Sequence, residues 1–384
     1  MEKVRMGVIG IGGMGEHHCR SFNDLSRIEL AAVCDIDPAR RKYAQEQFGV
    51  PGFEDYRDIL EGDLCDAVLI ATPHYFHPPM TIDAFRAGKH VLCEKPVGVY
   101  TLQAEEANRE HEKYPHLVYA LMFQMRAAGI NRKVKELIDS GEIGRLTRVL
   151  WINTDWYRTQ AYYDSGGWRA TWAGEGGGVL LNQSPHSIDL LQWLAGMPHK
   201  VRAFCQLGKS HDIEVEDDVT AYLEWENGAT GVFLTSTCEA PGTGQQEIIG
   251  TRGKLVIAGG KITFSRNRTP MDEFIIESTG RFDPPESWTI EIPPSRGNGI
   301  HQDITQNFVN AILDKEPLIA PGEDGIHSLA LANAMILSSL KDKWVEIPFD
   351  GREYKALLDD LCERSTYRKI VREVTPEDMN ASFH

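Results

Sequence analysis

The sequence predicts two domains in tandem: a doubly wound α/β domain with a parallel sheet over residues 1–126, then an α+β domain with a mainly antiparallel sheet over residues 127–384. Two observations carry this. The first third alternates short, continuous apolar runs with amphipathic stretches, and strands apolar on both faces belong to a parallel sheet covered by helices on each side. The remainder crowds β-rich runs together with turn residues between them, the pattern of antiparallel hairpins. A length of 384 residues also fits two or three units of about 150 residues.

Val4–Ile9, Leu30–Cys34, Ala67–Ile70, Val91–Cys93 and Val118–Met122 are the expected parallel strands. Between them, Asp37–Phe48, Pro78–Ala87 and Thr101–Lys113 carry helical patterns, and Pro78 stands where a first helical turn tolerates proline. The second domain opens with an expected helix over Ile130–Ser140 and a strand over Leu146–Asp155, followed by an aromatic, glycine-rich stretch from Trp156 to Gly178. Further strands are expected at Asp218–Trp225, Thr230–Ser236, Glu247–Gly250, Lys254–Ala258 and Lys261–Ser265. Glu226-Asn227-Gly228 and Gly250-Thr251-Arg252-Gly253 supply their turn chemistry. Gln302–Leu313 and Gly325–Leu340 read as helices, and Val345–Ile347 as a last strand.

Composition narrows the function. Forty Lys and Arg against 56 Asp and Glu leave a net charge of −16, with a pI near 5.3 and 42% apolar residues. This acidity opposes attraction to phosphate backbones and anionic bilayers, so neither nucleic acid nor membrane is an expected partner. Seven scattered cysteines (19, 34, 65, 93, 205, 238 and 362) include no Cys-x-x-Cys pair, the usage of a reducing compartment. The N-terminal residues lack a signal-peptide pattern, and no apolar run reaches the roughly 18 residues of a membrane helix. A cytoplasmic protein is expected.

Gly10-Ile11-Gly12-Gly13-Met14-Gly15 is a G-x-G-x-x-G string placed between the Val4–Ile9 strand and a helical stretch from Glu16. Asp35 ends the second strand at the spacing at which an acidic residue reaches an adenosine ribose. Gly10 permits a tight turn, Gly12 lets backbone approach a pyrophosphate, and Gly15 lets the helix pack on the strand. The helix N-terminus offers unpaired N–H groups to the phosphates. The Asp35 carboxylate accepts ribose hydroxyls and repels a 2′-phosphate, which favours NAD over NADP. Arg40 and Arg41 nearby weaken that preference, although solvated helix-face charges are the simpler reading of both.

Ligands of such sheets bind beyond the carboxyl ends of the strands. Two loops there are unusual: Ala71-Thr72-Pro73-His74-Tyr75-Phe76-His77 and Cys93-Glu94-Lys95-Pro96. A lysine desolvated beside a cationic cofactor has a lowered pKa, which suits Lys95 to proton transfer at a hydroxyl, though most lysines are solvated surface charges. Farther on, Gly176-Gly177-Gly178 leads to Asn182, His186 and Asp189, which share one face if the segment is a single helix; Pro185 complicates that reading. His186 lies in a polar stripe with no metal-ligand pattern, so no metal is expected. The segment Trp156-Tyr157-Arg158 through Tyr162-Tyr163 and Trp168-Arg169, with Tyr157, Tyr163, Trp168 and Arg169 as its substrate-facing candidates, reads as a wall for sugar stacking, or equally as an aromatic cluster at the domain junction.

Together these segments resemble the glucose–fructose oxidoreductase/inositol dehydrogenase (Gfo/Idh/MocA) family over nearly the whole chain. The resemblance rests on the glycine string, Thr72-Pro73 with His77, Gly88 through Glu94-Lys95-Pro96, Gln124–Arg126, Trp168-Arg169, the triple glycine with His186 and Asp189, and the Gly250–Gly253 turn. It implies a Rossmann domain binding NAD, a C-terminal domain built on a large open sheet, and assembly into a homo-oligomer, a dimer or tetramer. It implies hydride transfer at a secondary alcohol carbon of a sugar, cyclitol or related polyol. Carried over by position, Lys95 contacts the reacting oxygen and His186 serves as or assists the acid/base. Thr72, Pro73, His77 and Glu94 line the nicotinamide half, and Arg126 joins the cofactor set; Lys95, Asn182 and His186 meet substrate. Many inositol-dehydrogenase-like members carry Asp where this chain has Asn182, which removes a charge beside the histidine. An NAD-using glycoside hydrolase or lyase acting through transient sugar oxidation is the rival reading, and a dinucleotide sensor without catalysis is the third.

Overall fold

In a computed structural model describing residues 2–372, the chain builds two sheets. The first has six strands: β1 (Val4–Ile9), β2 (Ile28–Cys34), β3 (Gly52–Phe53), β4 (Ala67–Ile70), β5 (His90–Cys93) and β6 (Tyr119–Leu121). All pair in parallel in the order β3-β2-β1-β4-β5-β6. The order reverses between β1 and β4, which opens a crevice at their carboxyl ends. Val8, Val33, Leu69, Leu92 and Leu121 have no exposed surface, as expected for strands covered on both faces.

Helices α1 (Gly13–Ser21), α2 (Pro38–Phe48), α3 (Tyr56–Glu61), α4 (His77–Arg86) and α5 (Thr101–His111) make the crossovers. Their ends follow local chemistry. Asp37 caps α2 by accepting the Ala39 N–H at 2.8 Å, Pro38 occupies the first turn, and Gly49 ends it at φ +69. The two-residue β3 and six-residue α3 fall below what periodicity resolves, and neither is expected from sequence.

The second sheet runs through α6 (Gly129–Asp139), β7 (Leu146–Asn153), α7 (Gln160–Asp164), α8 (Pro185–Ala195), β8 (Lys200–Leu207), β9 (Glu216–Glu224), β10 (Thr230–Ser236), β11 (Gly244–Gly250), β12 (Gly253–Ala258), β13 (Lys261–Asn267), α9 (Met271–Glu277) and β14 (Ser287–Ile292). Then come α10 (His301–Asp314), α11 (Gly325–Leu340), β15 (Val345–Glu346) and α12 (Gly351–Arg364). The order is β14-β13-β12-β11-β7-β10-β9-β8-β15. Every pair is antiparallel except β7 with β10, which lie parallel across the long excursion that carries α7 and α8.

One expectation is corrected. Asn182, His186 and Asp189 do not share a helix: Pro185 has no N–H to give to a preceding turn, so α8 starts there, and Asn182 sits in the turn before it. The strands of the two sheets divide on either side of residue 126, but α10 returns to the first sheet. Gln306 accepts from Ser26 N–H at 3.0 Å, and Arg27 pairs with Asp314 at 2.8 Å. The Leu121 N–H also reaches back, to the Ala320 carbonyl at 3.0 Å. Residues 373–384 of the expected second domain lie outside the described residues.

Candidate active site

The glycine string occupies the β1–α1 turn. Gly10 adopts φ +90, and a Cβ there would press on the Ala71 carbonyl at 2.8 Å. Gly12 caps α1 without a side-chain hydrogen bond, and a Cβ on it would meet only Arg40 Nη1, at 3.4 Å. An open pocket runs over Gly12 and Gly13 to Ala39, Arg40 and Tyr43. Unfilled space, a bare helix N-terminus and an acidic residue at the next strand end fit a dinucleotide pyrophosphate and ribose. Ile11 and Met14 flank these glycines, and the Ile11 N–H donates to Asp35 Oδ2 at 2.7 Å. The Asp37 N–H donates to Asp35 Oδ1 at 2.9 Å, which orients the carboxylate at the carboxyl end of β2. Arg41 is spoken for by the Asp35 carbonyl (2.7 Å) and Glu54 (3.0 Å), whereas Arg40 extends over Gly12. Asp35→Ser is expected to weaken NAD binding about tenfold to a hundredfold, the worth of a charge-assisted hydrogen bond, and to narrow the preference over NADP. Fluorescence titration with both dinucleotides checks it; unchanged discrimination would place the selectivity elsewhere.

Beyond β4 and β5, the loops carrying Thr72 and Lys95 are tied together. His77 stands with Nδ1 2.7 Å from the Pro96 carbonyl and Nε2 2.6 Å from the Thr72 carbonyl. With both nitrogens engaged and 1% of its surface exposed, His77 clamps the loops; its expected contact with the cofactor is corrected to that role. Thr72 and Pro73 remain at the crevice. Glu94 is buried against His18 of α1 (Oε1 to Nε2, 2.7 Å). Burial pushes its carboxyl up, but the His18 hydrogen bond and charge outweigh this and hold it at about 2. Glu94 is therefore a fixed negative charge beneath Lys95.

Lys95 is partly buried and donates from Nζ to the Asn182 carbonyl at 2.9 Å. Burial lowers its pKa, Glu94 opposes, and the Arg169 charge lowers it further. His186, on the first turn of α8, is 6% exposed, and its Nδ1 finds no hydrogen-bond partner among the described residues. Burial and then the Lys95 charge push its pKa well below the usual value, so the ring is neutral. Parallel-sheet topology brings Lys95 to a strand end, and Pro185 brings His186 to a helix start. One offers an amine of lowered pKa and the other a neutral imidazole, groups chemically able to exchange a hydroxyl proton.

The aromatic segment is sorted by burial. Tyr163, expected at the substrate, is 1% exposed with its hydroxyl 2.7 Å from Thr237 Oγ1: it belongs to the core, and that expectation is corrected. Its neighbour Tyr162 turns the other way, about 100° around α7, and holds the site. Tyr162 OH donates to Asn182 Oδ1 at 3.2 Å and accepts from Arg169 Nη1 and Gln183 Nε2, both at 2.9 Å. Arg169 lies 4.6 Å from the ring centroids of Tyr162 and Trp168. Trp168 in turn meets His74 edge-on at 5.1 Å. Tyr157 is half-exposed, with its carbonyl taken by Arg158 Nη1 at 3.0 Å. Arg126 is also corrected: it is 1% exposed and spends its guanidinium on Asp189 and Asp324, each at 2.7 Å, so it positions α8 and has no surface left for a cofactor.

Sequence pattern does not single out Glu175 or Glu216, both buried. Glu216 Oε1 accepts the Gly178 and Leu180 N–H groups at 2.9 and 3.1 Å, and a Cβ at Gly178 would collide with the Glu216 carbonyl. Burial drives the Glu216 carboxyl from 4.5 up to about 7. A raised acid favours the folded state in its protonated form. Its contribution is complete below pH 4.5 and is lost as pH rises through about 7. Glu216→Gln is expected to melt close to wild type near about pH 5 and above it near about pH 8, by up to about 3 kcal/mol. A Tm difference that stays flat with pH would contradict this.

One further cluster bears on metals. His211, Asp217 and Cys238 bring three possible ligand atoms within 4.8 Å of one another. Asp217 already accepts the N–H groups of Lys209, Ser210 and His211 and faces His211 Nδ1 at 2.9 Å, so its oxygens are used in closing the loop ahead of β9.

Comparison with known proteins bears on the same residues. A family model described as an oxidoreductase family with an NAD-binding Rossmann fold matches residues 4–120. A second, the GFO/IDH/MocA C-terminal domain, matches residues 131–256. The chain belongs to the Gfo/Idh/MocA oxidoreductase family. This family member is thus an NAD-binding oxidoreductase. Levoglucosan dehydrogenase of Pseudarthrobacter phenanthrenivorans is 25% identical over 91% of this chain and 99% of its own. Myo-inositol 2-dehydrogenase of Thermotoga maritima is 25% identical over 88% and 97%. The crystal structure of the WlbA dehydrogenase from Chromobacterium violaceum, in complex with NADH and UDP-GlcNAcA, superposes with a TM-score of 0.78 at 30% identity, covering 91% of this chain and 97% of that one.

Proposed function

We propose that this family member oxidises a secondary hydroxyl of a sugar, cyclitol or related polyol, or reduces the matching ketone, with Lys95 and His186 managing the proton. The carrying observation is that Lys95 Nζ is held by the Asn182 carbonyl while its charge acts on a neutral, buried His186 whose Nδ1 has no hydrogen-bond partner among the described residues. NAD, when bound along Gly10–Gly15 and Asp35, supplies the hydride acceptor. The residues supply the rest. Thr72 and Pro73 shape the crevice beside the reacting carbon, and Arg169, stacked over the Trp168 ring at 4.6 Å, joins a cation to the aromatic wall offered to a sugar. Neutral Lys95 accepts the hydroxyl proton, so oxidation rises with pH through its lowered pKa. The names of the levoglucosan and inositol relatives support the substrate class.

NAD reduction over a panel of sugars, sugar acids and inositols tests the reading. Stoichiometric NADH with a ketose or inosose product is expected. Release of an aglycone with no net NADH would replace it with the hydrolase or lyase, and NAD binding without turnover would leave a sensor. We also propose a homo-oligomer joined through the open sheet, where Phe204, Tyr222, Trp288 and Trp344 are exposed. Light scattering on the purified protein reads the mass; a monomer would exclude it. Among the described residues no helix is long and apolar enough to cross a membrane.

A further inference from the structure

The Lys95 contact depends on the hydrogen-bond network around Asn182. Asn182 uses every polar atom of its side chain and its carbonyl in one network. Its Nδ2 donates to Glu175 Oε1, its Oδ1 accepts from Tyr162 OH at 3.2 Å, and its carbonyl accepts from Lys95 Nζ at 2.9 Å. Glu175 is 1% exposed and cannot swing away: Oε2 accepts the Ala170 N–H at 2.6 Å, and Arg169 Nη1 stands 4.0 Å off. Glu175 also begins the glycine run, where a Cβ at Gly176 would collide with Val99, so its backbone has one place to lie.

We propose that Glu175 is the positioning residue of this site: by holding the Asn182 amide it sets the carbonyl that orients Lys95, and it supplies the negative charge that an amide at position 182 lacks. The inference rests on the proton-transfer role given to Lys95 above. Two facts support it. With Nδ2 on a carboxylate, the amide is locked with Oδ1 toward Tyr162, so the network has one orientation. Burial raises the pKa of the Glu175 carboxyl, and the Arg169 charge, the Asn182 amide and the Ala170 N–H work against that. In its ionised form Glu175 opposes the loss of charge at Lys95, while burial and Arg169 promote it. The groups that bear on Lys95 are Glu94, Arg158, Arg169 and Glu175, together with the rings of His74, His77, His186 and His301. Of the two carboxylates, Glu94 is already committed to His18, which leaves Glu175 as the one linked to Lys95 through Asn182.

Moving the carboxylate tests this. Glu175→Gln keeps the shape and removes the charge. It is expected to lower kcat at least about tenfold with the KM for NAD unchanged. The acid limb of the pH profile should move to lower pH, because neutral Lys95 is then reached earlier. Asn182→Asp alone sets a second charge beside Glu175 and should move that limb upward. The double variant Glu175→Gln/Asn182→Asp returns one carboxylate with an amide partner and should recover most of kcat and the wild-type limb. Wild-type kinetics in Glu175→Gln would overturn the inference. So would equal losses in Glu175→Gln and the double variant with matching falls in Tm. NMR titration of the Lys95 ε-position needs no substrate, so it separates failure here from failure of the polyol reading: a downward shift in Glu175→Gln is expected, and an unmoved titration overturns it.

Discussion

Lys95→Ala is expected to lower kcat by about a thousandfold, within the range lost when a positioned acid–base group is removed, and to leave NAD bound. The reason is geometric. Lys95 leaves the carboxyl end of β5, at the opposite side of the β1–β4 crevice from the glycine string, and its Nζ makes one hydrogen bond among the described residues, to the Asn182 carbonyl. Removing it opens the site without touching Gly10–Gly15 or Asp35. Lys95→Arg should be nearly as inactive, since a guanidinium keeps its proton where an ammonium of lowered pKa releases it. Steady-state rates, with NAD affinity followed by fluorescence, separate the two effects. Near-wild-type turnover in either variant would move the proton transfer to another group.

Arg126→Met is expected to destabilise the fold by about 3–5 kcal/mol, because it strands Asp189 as an unpaired buried charge. At roughly 2–4 °C per kcal/mol, Tm should fall by about 10 °C. Arg126 donates through Nε and Nη2 to Asp189 and through Nη1 to Asp324, all within 2.7–2.8 Å, and links the residues after β6 to α8 and to the turn before α11. His186 rides on α8 one turn before Asp189, so kcat should fall with stability even though Arg126 lies outside the chemistry. The double variant Arg126→Met/Asp189→Leu removes both charges and should regain much of the lost Tm. If the double variant is no more stable than the single, the stranded charge is not the cause.

How much of this was legible depends on what each signal measures. Strand and helix positions in the first third follow from apolar periodicity, and β1 and β4 match the expected Val4–Ile9 and Ala67–Ile70 residue for residue. The glycine string and Asp35 were readable because backbone clearance and ribose recognition demand particular residues at particular spacing. Pairing partners were not: β7 lies parallel to β10 across about 80 residues, and periodicity carries no information about which strand sits beside which. Tyr162 and Tyr163 look interchangeable in sequence. Only the packing of α7 buries one ring and turns the other hydroxyl toward Asn182.

By itself, then, the sequence determined the dinucleotide half of this protein and its two-sheet plan, since each is written in local composition or spacing, while the proton roles proposed for Lys95 and His186 came from the family resemblance. Tertiary structure decided what those residues rest on. Glu175 behind Asn182, Glu216 under the glycine run, His77 between two loops and Arg126 between two aspartates all act through burial and through hydrogen bonds that periodicity does not announce. A buried charge acquires its role from whatever the fold places within hydrogen-bond reach, and for these residues that partner is usually distant in the chain.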